Sequence, residues 1–221
     1  MSKLIIIIII AIIAGAFYLE KRRGNNMSSV ASRLGFTFFS GQHKLPDELG
    51  EIGFDLFTQG PPNIQNRMTG YSNDREMTIF DFSYIATEGD EGINDIPIGD
   101  QEIMETRNQS VIWVRQKKVL PDFDFSPKRI HKRTVGARFG LTQVTLDGQN
   151  NFNRQYTLLG RDTEKLRQLF SQQLIDQLAA RPNLVIESRG QDLLFYRFAQ
   201  RHDPKVIPGF LQEVETLLEL L

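Results

Sequence analysis

Met77-Thr78-Ile79-Phe80-Asp81-Phe82-Ser83-Tyr84-Ile85 is the stretch from which the fold is read. On an extended chain Phe80, Phe82 and Tyr84 point to one side and Asp81 and Ser83 to the other. A period of two marks a strand in a sheet with one buried side. The preceding Ser72-Asn73-Asp74-Arg75 is turn chemistry, so residues 64–71 and 77–85 read as a hairpin. Downstream, Val111-Ile112-Trp113-Val114 lies in a near-continuous apolar run over 110–116, the pattern of a central strand. Short strands are also expected at 36–39, 141–146 and 154–159. A second hairpin, 184–187 with 193–198, is expected around Ser188-Arg189-Gly190-Gln191.

Helices interrupt these strands irregularly. Leu166, Leu169, Phe170, Leu174 and Leu178 recur at helical spacing between Asp162, a good N-cap, and Pro182, so 163–181 reads as one amphipathic helix. A closing helix starts between Pro204 and Pro208 and carries Phe210, Leu211, Val214, Leu217 and Leu218 on one face. Shorter helices are expected at 28–34 and at the start of 46–56, and a short basic one at 128–139. Clustered strands with irregular helices give an α+β fold with a mainly antiparallel sheet.

Before this domain stands an apolar run from Leu4 to Leu19, closed by Lys21-Arg22-Arg23. As a helix its sixteen residues span roughly 24 Å, near the lower limit for crossing a bilayer core. Phe17 and Tyr18 occupy the place of an interfacial aromatic anchor. The expectation is a transmembrane helix over 1–20, a basic and polar linker over 21–27, and one domain over 28–221. The excess of basic charge behind the run places that domain on the cytoplasmic side of a bacterial inner membrane, single-pass. The competing reading is a cleaved signal ending near Ala14-Gly15-Ala16, which would export the domain to the periplasm.

Setting aside Lys3, Glu20, Lys21, Arg22 and Arg23, the remainder carries 22 basic and 26 acidic side chains, a formal charge of −4. A general nucleic-acid binder is distinctly basic, and this domain is not. The chain has no cysteine.

Chemistry-bearing patterns are sparse. His43, His131 and His202 are far apart in sequence, none at metal-ligand spacing, and read as surface or helix-edge histidines. No catalytic residue, cofactor signature or metal-ligand set is found: G-x-S-x-G, a P-loop and the dinucleotide glycines are all missing. Glu88, Asp90, Glu91, Asp95, Asp100, Glu102 and Glu105 crowd into a long polar loop that could hold a cation, as in a metal-assisted hydrolase, though its spacing is not that of an EF-hand. Lys128, Arg129, Lys132, Arg133 and Arg138 form a basic cluster, a candidate contact for anionic lipid headgroups on a tethered domain.

The order of several motifs resembles a group of uncharacterised bacterial proteins with an N-terminal hydrophobic segment and one domain of unknown function. They are Phe54-Asp55-Leu56-Phe57, the 79–84 strand, Val119-Leu120-Pro121-Asp122-Phe123, Arg154-Gln155-Tyr156-Thr157-Leu158-Leu159-Gly160-Arg161-Asp162 and Leu193-Leu194-Phe195-Tyr196-Arg197. The resemblance covers most of the domain and implies a bacterial source, with no activity and no site residues. Together these readings describe a membrane-tethered binding or scaffolding protein, reaching the bilayer through Leu4 to Leu19 and docking on anionic lipid or a protein partner.

Overall fold

The computed structural model describes residues 3–87, 104–128 and 140–221. Its chain order is α1 (Lys3–Leu34), β1 (Thr37–His43), α2 (Asp47–Glu51), β2 (Asn63–Ser72), β3 (Arg75–Thr87), β4 (Met104–Pro127), β5 (Thr142–Gln143), α3 (Asn150–Gln155), β6 (Tyr156–Gly160), α4 (Thr163–Leu169), α5 (Gln172–Ala179), β7 (Leu184–Arg197) and α6 (Ile207–Leu218). The strands run β1-β2-β3-β4-β6-β5, and β7 pairs with β4. Every pairing is antiparallel, as the strand patterns suggested.

The hairpin that organises the sheet forms where the turn chemistry put it. Asn73 and Asp74 take φ of 49° and 60°, the left-handed pair that matches the twist of the flanking strands in a two-residue turn. The sheet itself is covered on both sides, not one. Met77 and Ile79 of β3, Ile112 and Val114 of β4, and Leu193 and Phe195 of β7 join a core with Met27, Val30 and Ala31 of α1 and with α4, α5 and α6. Phe80, Phe82, Tyr84, Val111, Leu194 and Tyr196 face the opposite way and pack under Leu49, Phe54 and Leu56. The alternation in 77–85 registers only the second face, because Asp81 and Ser83 interrupt the first.

Several elements differ from expectation in length; the strand expected over 141–146, for one, is reduced to Thr142–Gln143. β4 runs for 24 residues: 104–115 pair with β3, positions between 111 and 125 with β7, and 123–127 with β6. β7 is continuous for 14 residues where a hairpin was expected. Gly190 (φ 64°) marks a bulge against β4, not a turn. Its polar neighbours find tertiary partners: the Ser188 hydroxyl donates to the Pro121 carbonyl (3.0 Å) and Arg189 pairs with Asp124 (2.8 Å). The helix expected over 163–181 breaks at Phe170, and the Ser171 side chain accepts from Leu174 N–H to start α5.

The N-terminal expectation is overturned. Among the described residues no helix is long and apolar enough to cross a membrane. The apolar run reaches only about 24 Å against a hydrocarbon core of about 30 Å, and Glu20, Lys21 and Arg22 follow it directly. Residues 21–27, expected as a linker, are helical; α1 is continuous into the domain, where Met27, Val30 and Ala31 are buried.

Candidate functional site

Asp81 sits where the apolar face of the sheet gives way to polar residues, and α1 meets the sheet there. Its carboxylate accepts five hydrogen bonds. Arg23 of α1 donates two of them, from Nε (2.7 Å) and Nη2 (2.6 Å). Asn66 Nδ2 (3.0 Å), the Ser110 hydroxyl (3.1 Å) and Arg201 Nη2 (3.1 Å) complete the set. Asn66 reaches Asp81 from a bulge in β2, with φ of 52° at the irregularity in the pairing with β3. Asparagine tolerates that conformation better than most residues.

Arg201 ties the site back to the helix, its Nη2 donating to Glu20 Oε2 (2.8 Å). Glu20 and Arg23 lie three residues apart, one helical turn, and so face the domain together. Lys21 and Arg22 between them are exposed. Arg23 Nη1 also donates to the His202 carbonyl (2.8 Å), and His202 N–H donates to the Ser110 hydroxyl (3.0 Å).

The electrostatics follow from this wiring. Burial alone would raise the Asp81 pKa, but the Arg23 fork, then Arg201 and Asn66, hold it below the usual carboxylate range. Glu20 is lowered chiefly by its hydrogen bond to Arg201, against a smaller opposing effect of burial. His202 is lowered, first by burial and then by the Arg197 charge, and its ring lies against Phe210 (centroids 4.7 Å apart). It is thus a buried histidine, not the surface or helix-edge residue expected. His43 lies half-buried on β1, and His131 is outside the described residues.

Beside this cluster opens a cavity of about 260 Å³ lined by Glu20, Asn63, Gln65, Asp81, Phe82, Ser83, Thr106, Asn108 and Arg201. At the other end of α1's exposed part, every position from Ile5 to Leu19 is exposed, with Ile12 at 65 % and Phe17 at 72 %. A polar cavity therefore stands at the foot of a bare apolar helix.

The comparisons bear on this architecture. Neither a family model nor a curated relative matches the sequence. Among solved structures the chain is similar to the mycobacterial trehalose monomycolate transport factor A, TtfA. The two are 14 % identical, with a TM-score of 0.59 over 90 % of this chain and 96 % of that one. At that identity the likeness shows a shared fold.

The residues singled out from sequence fall elsewhere. Lys128 is exposed just past the end of β4, its N–H bonded to the Gln155 carbonyl (2.8 Å). Arg129, Lys132, Arg133 and Arg138 lie outside the described residues, as does the acidic loop up to Glu102. Glu105 is exposed on β4 and pairs with Arg107 (2.9 Å). Among the described residues no group of three or more His, Cys, Asp and Glu side chains could hold a metal ion.

The Asp81 cluster went unread in the sequence. Its one local signal was an aspartate in an otherwise apolar strand, and the alternation assigned that residue to solvent. Arg23 belongs to the basic triplet behind the apolar run, yet its partner Asp81 stands 58 residues away in sequence.

Proposed function

We propose that the chain is a non-catalytic accessory protein that associates with a lipid bilayer through the apolar end of α1 and presents its α+β domain at the lipid surface. The carrying observation is the exposure of every side chain from Ile5 to Leu19 on a helix whose next turn is bonded into the domain. A helix that docks on a partner has one apolar stripe and one polar face. This one is apolar all round, which suits a medium that surrounds it. Phe17 and Tyr18 at its end, followed by exposed Lys21 and Arg22, match the aromatic and basic residues favoured at headgroup level. The fold shared with a transport factor agrees with an accessory role.

Vesicle flotation of the full chain tests the reading. The protein is expected to float with phosphatidylcholine vesicles, and more firmly when anionic lipid is added. Ile9→Lys, which forfeits the about 2 kcal/mol gained by burying one isoleucine side chain, should weaken flotation about thirtyfold while leaving the domain folded by circular dichroism. A chain that stays at the bottom of the gradient, or a variant that floats as the parent does, overturns it.

A further inference from the structure

We infer that the cavity at the foot of α1 is a binding site for the uncharged, polyhydroxylated head group of a lipid whose tails lie beside the apolar helix; this rests on the bilayer reading above.

On the face that α1 covers, successive β3/β4 pairs are Met77/Val114 and Ile79/Ile112, both apolar and buried. The next rung is Asp81/Ser110, closed by Arg23 and Arg201. Beyond it the same face carries neutral polar groups, Ser83 opposite Asn108 and Asn63 of β2 opposite Ser83, and one rung further Thr106 opposite the exposed Ile85. Gln65 lies opposite Asp81. The other face of these same residues is not frayed, since Phe80, Phe82, Tyr84 and Ala86 are buried there. The polar side is thus a ledge held flat by packing beneath it, and Thr106 and Asn108 on it are exposed.

The chemistry of the ledge selects the ligand. Glu20 and Asp81 are each paired, through Arg201 and Arg23, so the four charges cancel and leave no net attraction for an anion or a cation. What remains is amides and hydroxyls, which can donate and accept in alternation, as a ring of hydroxyl groups requires. Ser83 is held by Asn63, whose Nδ2 donates to its oxygen (3.1 Å), which leaves the Ser83 proton to donate. The volume, about 260 Å³, is below the ~300–1,000 Å³ of drug-sized sites and fits a single sugar ring. Depth agrees as well. Glu20 lines the cavity and directly follows Leu19, the last residue of the apolar run, so the cavity lies about one residue, ~1.5 Å along the helix, past the apolar layer.

The test compares binding of the full chain to phosphatidylcholine vesicles with and without a monoglucosyl diacylglycerol, both uncharged. Two hydrogen bonds of ordinary net strength predict about tenfold tighter binding to the glycolipid vesicles. Ser83→Ala with Asn108→Ala should abolish that preference and keep the binding to phosphatidylcholine. Gln65→Ala alone, expected to reduce it severalfold, serves where the double variant does not fold. Equal binding to the two vesicles, or a double variant that keeps the preference, overturns the inference. If no vesicle binds, the bilayer reading fails by itself, and methyl glucoside titrated against the side-chain amide NMR signals reads the ledge alone. Shifts at Asn63, Gln65 and Asn108 support it, and an unmoved spectrum rejects it.

Discussion

At Asp81 a single carboxylate joins four parts of the chain: α1 through Arg23, the β2 bulge through Asn66, β4 through Ser110, and the turn after β7 through Arg201. Replacing it by asparagine leaves the largely buried Arg23 guanidinium without its counter-charge and Arg201 with Glu20 alone, a loss of about 3 kcal/mol, readable as a lower urea midpoint. The pH dependence has a definite sign. A carboxyl held below its unfolded value contributes stability that is fully present above about pH 5, and this is lost as pH falls through the unfolded value of about 3.9 and on through the folded one. Acid unfolding followed by circular dichroism should therefore be shallower between about pH 5 and 2 in Asp81→Asn than in the parent. A parallel pair of curves would remove Asp81 from the account of acid stability. Tyr196 shows the opposite economy on the other face. Burial first, then the Glu187 carboxylate that accepts its hydroxyl (2.7 Å), push its pKa well above the ordinary value, so the phenol remains a donor at any working pH.

The way α1 enters the sheet is decided by two glycines. Gly35 takes φ of 72° and ends the helix, with Phe36 N–H donating to the Ala31 carbonyl (2.8 Å) and Gly35 N–H to that of Ser32 (3.3 Å), the pattern that closes a helix through a left-handed residue. Phe36 then turns back and lies on Gly70 of β2, where an added Cβ would come within 2.4 Å of the ring. Gly70→Ala must displace a buried Phe36, which overpacks the joint and should cost about 1–3 kcal/mol in chemical unfolding. A variant as stable as the parent would show that the joint yields without strain. Leu166, Leu174 and Leu178 are all buried, so the periodicity was real, but the chain changes direction at Phe170 (ψ 67°) and Ser171 caps the second piece.

Taken as a whole the molecule is a two-sided sheet from which one helix projects, bare beyond Glu20. That shape predicts its solution behaviour. The full chain should self-associate in plain buffer and become a single species in mild detergent, whereas a chain starting at Glu20 should be monodisperse in both, as light scattering after gel filtration would read. A full chain that is monomeric without detergent would mean the apolar residues are covered by the rest of the same chain.

The apolar run, the antiparallel hairpin, the closing helix and the α+β class were legible locally. Each follows from a pattern within about ten to twenty residues, where the period of apolar side chains reports the surface they must leave water to cover. The continuity of β7, the burial of both sheet faces and the hub at Asp81 were not. A polar tetrapeptide such as Ser188-Arg189-Gly190-Gln191 is a turn or a bulge according to whether partners like Pro121 and Asp124 arrive from elsewhere. Arg23 likewise becomes the counter-ion of Asp81 only because α1 is laid across the sheet. Side-chain period is a property of neighbours along the chain, whereas the satisfaction of a buried charge depends on residues brought together from distant parts of it, and the candidate site belongs to the second kind.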